Sequence, residues 1–181
     1  NDEDIIITGY IGESNALRIP AYIGGVPVRE IEAFAFDGMD HITEVSVPDT
    51  VTWIGKAAFG EFDSLKKLTI PFVGRTSSEN ENKYGVLGYI FGDGTDYYDR
   101  IMSAYEEKKT SEGSYTSQVD QSYPYFYMIP QSLESVTITK QTAIPDNAFR
   151  NCDNLVTIKL PDKVDSIGER AFRNCQSLQE I

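Results

Sequence analysis

Residues 144–181 read IPDNAFRNCDNLVTIKLPDKVDS and then IGERAFRNCQSLQEI, one pattern written twice at an offset of 23 residues. Ile144 recurs as Ile167, Ala148 and Phe149 as Ala171 and Phe172, Asn151 and Cys152 as Asn174 and Cys175, Leu155 as Leu178, and Ile158 as Ile181. Self-similarity at such a period predicts a solenoid, because a unit this short cannot bury its apolar face alone and must stack on a copy of itself. The same phase runs earlier in the chain, through Ile31, Ala35-Phe36, Ile42, Val45, Val47-Pro48 and Val51, and again through Ile54, Ala58-Phe59, Leu65, Leu68 and Ile70-Pro71. Four units therefore share one register, and Phe36, Phe59, Phe149 and Phe172 are expected to form one buried stack.

Each unit divides into two halves. Around Ile158, Lys159 and Leu160 apolar and polar residues alternate, the pattern of a half-buried strand, and Pro161 ends it because proline cannot donate to a continuing ladder. In the other half, a polar Asp146 precedes apolar residues at 148, 149, 152 and 155, a spacing near three and four that predicts one short helical turn with Phe149 facing inward. The expected unit is strand, bend, short helix, bend.

The pattern of Ile, Ala-Phe, Asn-Cys, Leu, Ile, Leu-Pro, Val and Ile-Gly resembles the BspA-like leucine-rich repeat of bacterial cell-surface proteins, over residues 31–71 and 133–181 and, less fully, over 16–30. The resemblance implies an α/β leucine-rich repeat solenoid, with a parallel sheet on one face and short helices or turns on the other. It also implies an extracellular or cell-surface location and binding of macromolecules without catalytic chemistry. The chain departs from the pattern where Met39 and Phe62 stand in place of the later Cys152 and Cys175.

Composition bounds the alternatives. At 181 residues and 40% hydrophobic the chain suits one domain with an extended core. A formal charge of −12 argues against nucleic acid, whose phosphates require a basic stripe. No apolar run approaches the length of a membrane-spanning helix, and the opening Asn1-Asp-Glu-Asp is not a signal peptide.

In chain order, residues 1–30 are expected to form an N-terminal cap and first strand. Ile5-Ile6-Ile7 is a strand candidate, and Gly9-Tyr10-Ile11-Gly12 a turn. Leu17-Arg18-Ile19-Pro20 lies in phase with Val45-Ser46-Val47-Pro48, and a further turn at Gly24-Gly25 closes the end of the stack. Residues 31–91 carry repeats, 92–130 a tyrosine-rich insertion, and 131–181 further repeats, the last incomplete. Val86 and Ile90-Phe91 keep the spacing of Ile54 to Phe59, and Leu133, Val136 and Ile138 that of Leu155, Ile158 and Leu160. One repeat is thus expected to be split by the insertion, with a smaller one, 72–85, ahead of it. Because the chain stops inside a strand at Ile181, it is expected to be a fragment whose open end self-associates or frays.

The insertion concentrates Tyr97, Tyr98, Tyr105, Tyr115, Tyr123 and Tyr125, with a short helix expected within 96–109. These rings either pack the segment onto the solenoid or form a ligand platform, and composition does not decide between the two. His41 is the single histidine and falls in a bend, as a solvated loop residue rather than a general base. Cys152 and Cys175 occupy equivalent positions and are expected as buried free thiols, since parallel Cβ vectors disfavour a disulfide. No CxxC pair or histidine cluster suggests zinc. Asp93, Asp96 and Asp99 lack the ligand spacing of a calcium loop, so no metal or cofactor is expected.

Strand alternation places Glu44 and Ser46, Lys67 and Thr69, Ser135 and Thr137, Thr157 and Lys159 on the outward face of the sheet. They are either a binding face or a plain solvated one. The expected function is a protein- or glycan-binding module acting in adhesion to host or neighbouring cells. A structural spacer is the alternative, and a hydrolase with its site at the insertion a further one.

Overall fold

The computed structural model describes residues 4–78, 84–92, 115–119 and 126–181, with 115–119 and Phe126 described through the backbone alone. The strands are β1 (Ile5–Ile7), β2 (Ala16–Arg18), β3 (Tyr22–Ile23), β4 (Val26–Ile31), β5 (Glu44–Ser46), β6 (Trp53–Ile54), β7 (Lys67–Ile70), β8 (Tyr115–Val119), β9 (Phe126–Pro130), β10 (Ser135–Ile138), β11 (Ala143–Ile144), β12 (Thr157–Lys159) and β13 (Ser166–Ile167). A 3-10 helix, Leu87–Phe91, lies between β7 and β8.

Alternation in the short strands sets the main sheet. Strands β12-β10-β7-β5-β2 form a five-stranded sheet in that order, all neighbours parallel. Register is strict: Leu17 faces Val45, Val45 faces Leu68, and Val136 faces both Leu68 and Ile158. All five are buried. A one-residue slip would bring the polar neighbours inward, so the buried row fixes the pairing. At the β2 edge the Ser14 hydroxyl donates to the Ala16 carbonyl at 3.1 Å while the Ala16 N–H donates back to it at 3.2 Å, which occupies two groups an intruding strand would need.

A second ladder runs along the isoleucines that open each unit, an element the periodicity did not reveal. Ile7 faces Ile31 and Ile31 faces Ile54 across parallel β1, β4 and β6, and Ile144 faces Ile167 across β11 and β13. Strand β3 turns back antiparallel on β4 through Gly24 (φ 59°) and Gly25 (φ 88°), so the turn expected there is that of a hairpin. Gly168 follows Ile167 because a Cβ there would stand 2.3 Å from the Asp146 N in the preceding unit.

The expected helix at 146–152 is absent, and tandem turns replace it. Alternate amides bond within the unit, Ala148 to Pro145, Arg150 to Asn147 and Cys152 to Phe149. The amides between them reach the next unit, Asn147 to Glu169, Phe149 to Ala171 and Asn151 to Arg173. In a helix the amides point along the axis of their own unit and could not reach sideways to the neighbour. The alternation requires left-handed residues at fixed phase: Phe34, Ala57, Asn147 and Arg170 two positions before the phenylalanine, and Gly38, Glu61, Asn151 and Asn174 two after it.

The phenylalanines stack in two pairs. Phe36 and Phe59 have ring centroids 5.5 Å apart at 11°, and Phe149 and Phe172 5.5 Å apart at 8°. Between the pairs lies the rung of the 3-10 helix, where Tyr89 and Ile90 carbonyls accept from Ala57 and Phe59 and the Leu87 N–H donates to Ala148. Phe172 is half-buried rather than buried, because its outer face has no further unit of the described chain against it.

The segments 86–91 and 133–138 both lie between the unit of Phe59 and that of Phe149: the first bonds to Ala57 and Ala148, the second to Lys66, just ahead of β7. Of the segment between them, β8 pairs antiparallel with β9 from Tyr115 opposite Pro130 to Val119 opposite Phe126. Tyr127 and Ile129 belong to the hydrophobic core, and the Met128 N–H donates to the Gly92 carbonyl at 3.0 Å. The core therefore reaches back to residue 127, inside the expected 92–130 insertion. The smaller loop after β7 is fixed by buried Gln141, whose Oε1 accepts from the Val73 N–H at 2.9 Å and whose Nε2 donates to the Ser77 carbonyl at 3.1 Å.

Phe149 is fully buried, so Phe149→Ala is expected to lower unfolding free energy by about 3–5 kcal/mol in denaturant titration. Wild-type stability of that variant would contradict the stacked register. Replacing 93–125 by a short Gly/Ser linker is expected to keep a cooperative unfolding transition, because loop-closure entropy varies slowly with length. Extending the deletion through 129 removes Tyr127 and Ile129 and is expected to shift the midpoint sharply downward.

Candidate binding face

The outward positions of the five-stranded sheet fall into two rows. Ala16, Glu44, Lys67, Ser135 and Thr157 are consecutive partners in one, and Arg18, Ser46, Thr69, Thr137 and Lys159 in the other. Every sheet-face residue picked out by alternation thus lands on one surface, joined by Ala16 and Arg18 from the N-terminal cap. With strands about 4.8 Å apart, each row spans about 19 Å. Lys67, Lys159 and Arg18 are exposed, whereas Glu44, Ser46, Thr69, Ser135, Thr137 and Thr157 are partly buried between neighbours.

The chemistry of this face is short and hydroxyl-rich. Ser46, Thr69 and Thr137 run in succession between the cations Arg18 and Lys159, and no aromatic ring stands in either row. Arg18 lies 3.9 Å from Glu44, an exposed pair that water and salt screen strongly. At the rim, beyond the strand ends, the Thr139 hydroxyl donates to an Asp49 carboxylate oxygen and Lys140 Nζ to the Asp49 carbonyl at 3.3 Å. This ties two non-adjacent units together.

Of the tyrosines in the insertion, Tyr97, Tyr98, Tyr105, Tyr123 and Tyr125 lie outside the described residues, as do Asp93, Asp96, Asp99 and the helix expected within 96–109. Tyr115 starts β8, opposite Pro130. His41 is exposed in a turn beside Ile42. Among the described residues no group of three or more His, Cys, Asp or Glu side chains could hold a metal.

The thiols are free, with Cys152 buried and Cys175 half-buried. Stacking brings them near the same turn: the Cys175 thiol donates to the Phe149 carbonyl at 3.0 Å. Burial, and then the neighbouring Cys175, hold Cys152 well above the usual thiol range. Burial pushes Cys175 up to about 11, a backbone hydrogen bond from Cys152 lowering it and Asp153 raising it. Asp153 is itself raised by burial.

The sheet-face residues were legible from strand alternation. Gln141 was not, since a single buried amide leaves no periodic trace, and neither was the second ladder, because its isoleucines recur but most of its strands are too short for alternation to mark them. The Ile-Gly step repeated at Gly55 and Gly168 was the one available signal, marking a close approach between rungs.

A family model described as a BspA type leucine rich repeat region, in six copies, matches residues 24–81 and 120–181, more than half of the chain. A leucine-rich repeat protein of T. pallidum is similar at 23% identity, over 96% of this chain and 60% of its own, with a TM-score of 0.43. A leucine-rich cell surface protein of Faecalibacterium prausnitzii A2-165 is similar at 23% identity, over 98% and 50% of the two chains, with a TM-score of 0.41. A leucine-rich repeat protein of Bacteroides ovatus is similar at 17% identity, over 92% and 36%, with a TM-score of 0.38. The chain thus spans 60% or less of the length of these structures. No curated protein matches it.

Because both thiols are raised in the fold, their neutral form is favoured there. Their contribution to stability is present below the unfolded thiol value near 8.5 and is lost as pH rises through the folded values. Denaturation midpoints are expected to fall above about pH 9, and a Cys152→Ala/Cys175→Ala double variant to flatten that fall. Alkylation of Cys175 by iodoacetamide at pH 8 is expected to run more than about tenfold slower than in the unfolded chain.

Proposed function

The chain belongs to the BspA-type leucine-rich repeat family, and from that premise we propose that it is a non-catalytic binding module of a secreted or surface-anchored bacterial protein, engaging an extracellular protein on host or neighbouring cells. The observation that supports this is the in-register outer face of the five-stranded sheet, where ten side chains from five units meet on one surface. Partly buried hydroxyls lose little conformational freedom on binding, and they supply both donors and acceptors to an extended polypeptide. Single charges at Arg18, Lys67, Lys159 and Glu44 set its orientation rather than its affinity. The repeat family is generally non-catalytic.

The test is binding of the purified chain to immobilised extracellular-matrix proteins and to whole epithelial cells, beside a Ser46→Lys/Thr69→Lys/Thr137→Lys variant. At least a tenfold loss of binding, with an unchanged circular-dichroism melt, is expected for the variant. Binding by the variant equal to wild type would remove the face from the proposal. Failure of the wild-type chain to bind any surface would favour the spacer. Binding that survives protease treatment of the cells but not glycosidase treatment would move the partner to a glycan. The linker replacement of 93–125 measures what the segment carrying Tyr97, Tyr98, Tyr105, Tyr115, Tyr123 and Tyr125 adds.

A further inference from the structure

The second sheet carries an outward row of different chemistry. Ile6 pairs with Glu30 and Glu30 with Trp53 across β1, β4 and β6. Three side chains of unlike kind therefore stand on neighbouring strands about 4.8 Å apart. Ile31 and Ile54, the next residues along β4 and β6, are fully buried, which turns Glu30 and Trp53 away from the core. Ile6 is 51% exposed, and Glu30 and Trp53 are partly exposed. On the following rung the Arg75 carbonyl accepts from the Ile54 N–H at 3.0 Å, and the Arg75 guanidinium lies 4.0 Å over the Tyr84 ring.

Trp53 is the single tryptophan of the chain. Among the described residues its indole N–H has no hydrogen-bond acceptor, and the Glu30 carboxylate has neither donor nor cation. Among the described residues the row thus offers an apolar ring, one free donor and one free acceptor within a side chain's reach. A ligand that answers all three must present a face of C–H groups, with an acceptor oxygen and a donor hydroxyl on its rim. A pyranose ring has that construction. A protein partner would need about 800 Å² of surface on this side, whereas β6 is two residues long and the row is three side chains wide. Glu30 and the formal charge of −12 oppose an anionic glycan.

We infer that Trp53 and Glu30 form a carbohydrate subsite, on which an uncharged sugar ring stacks against the indole while Glu30 accepts from its hydroxyls. The subsite is separate from the five-stranded face and independent of what that face binds.

Trp53 supplies its own probe. Titration of the full chain with neutral hexasaccharides of glucose, mannose and N-acetylglucosamine is expected to give a saturable change in tryptophan emission for at least one of them. By calorimetry, Trp53→Ala is expected to weaken that binding about tenfold. Trp53→Phe, which keeps a ring, should retain most of it, and Glu30→Gln should weaken it without altering the melt. The Ser46→Lys/Thr69→Lys/Thr137→Lys variant should bind the sugar as the wild type does, which separates this site from the sheet face. The inference is overturned if no neutral oligosaccharide changes the emission up to 10 mM, if Trp53→Ala binds as tightly as wild type, or if a sulfated oligosaccharide binds more tightly than every neutral one.

Discussion

The structure depends on one constraint, that each unit must return its backbone to hydrogen-bonding distance of the unit before it. Asn147, Phe149 and Asn151 donate to Glu169, Ala171 and Arg173, as Phe34, Phe36 and Gly38 donate to Lys56, Ala58 and Gly60. A parallel ladder on either side of these turns does the same for the strands. Because the spacing between rungs is set by backbone bonds, a residue type that suits one rung meets its own copy on the next. Phenylalanine meets phenylalanine at 5.5 Å in both pairs, and Asn174 donates to Asn151 at 2.8 Å.

That geometry carries a cost. A non-glycine residue in the left-handed region costs roughly 1–2 kcal/mol, and Phe34, Ala57, Glu61, Asn147, Asn151, Arg170 and Asn174 all adopt it. Asparagine tolerates the conformation best of these types, and it fills three of the seven positions. The burial of an aromatic ring one turn away, as at Phe59 and Phe149, offsets the strain. The same accounting explains why Gln141 is retained in the core: without its side-chain oxygen the Val73 N–H would be buried with no partner.

Stacking also separates the surface into faces with distinct chemistry. On the five-stranded sheet the outward residues are hydroxyls and isolated charges, and none is aromatic. The second sheet bears Ile6, Glu30 and Trp53 in one short row. The first is broad and polar, suited to an extended chain lying across strands. The second is narrow and built around one ring.

The sequence by itself determined the repeat, its phase, and the residues that fill the core, because Ile158, Leu155 and Phe149 recur at a fixed offset and burial follows that offset. It determined the outward members of the main sheet too, since a strand period of two leaves Thr157 and Lys159 no other side. It did not determine what the 146–152 half becomes. Apolar spacing of three and four fits a helix and a run of tandem turns equally well, and the choice fell to the neighbouring unit, which requires every second amide. Nor did it place Tyr127 and Ile129 in the core, or bring Glu30 beside Trp53. Tyr127 and Ile129 share no phase with the repeat, and Glu30 and Trp53, though one period of 23 residues apart, are unlike in chemistry and leave no recurring pattern, so only the stacking of the rungs shows these contacts.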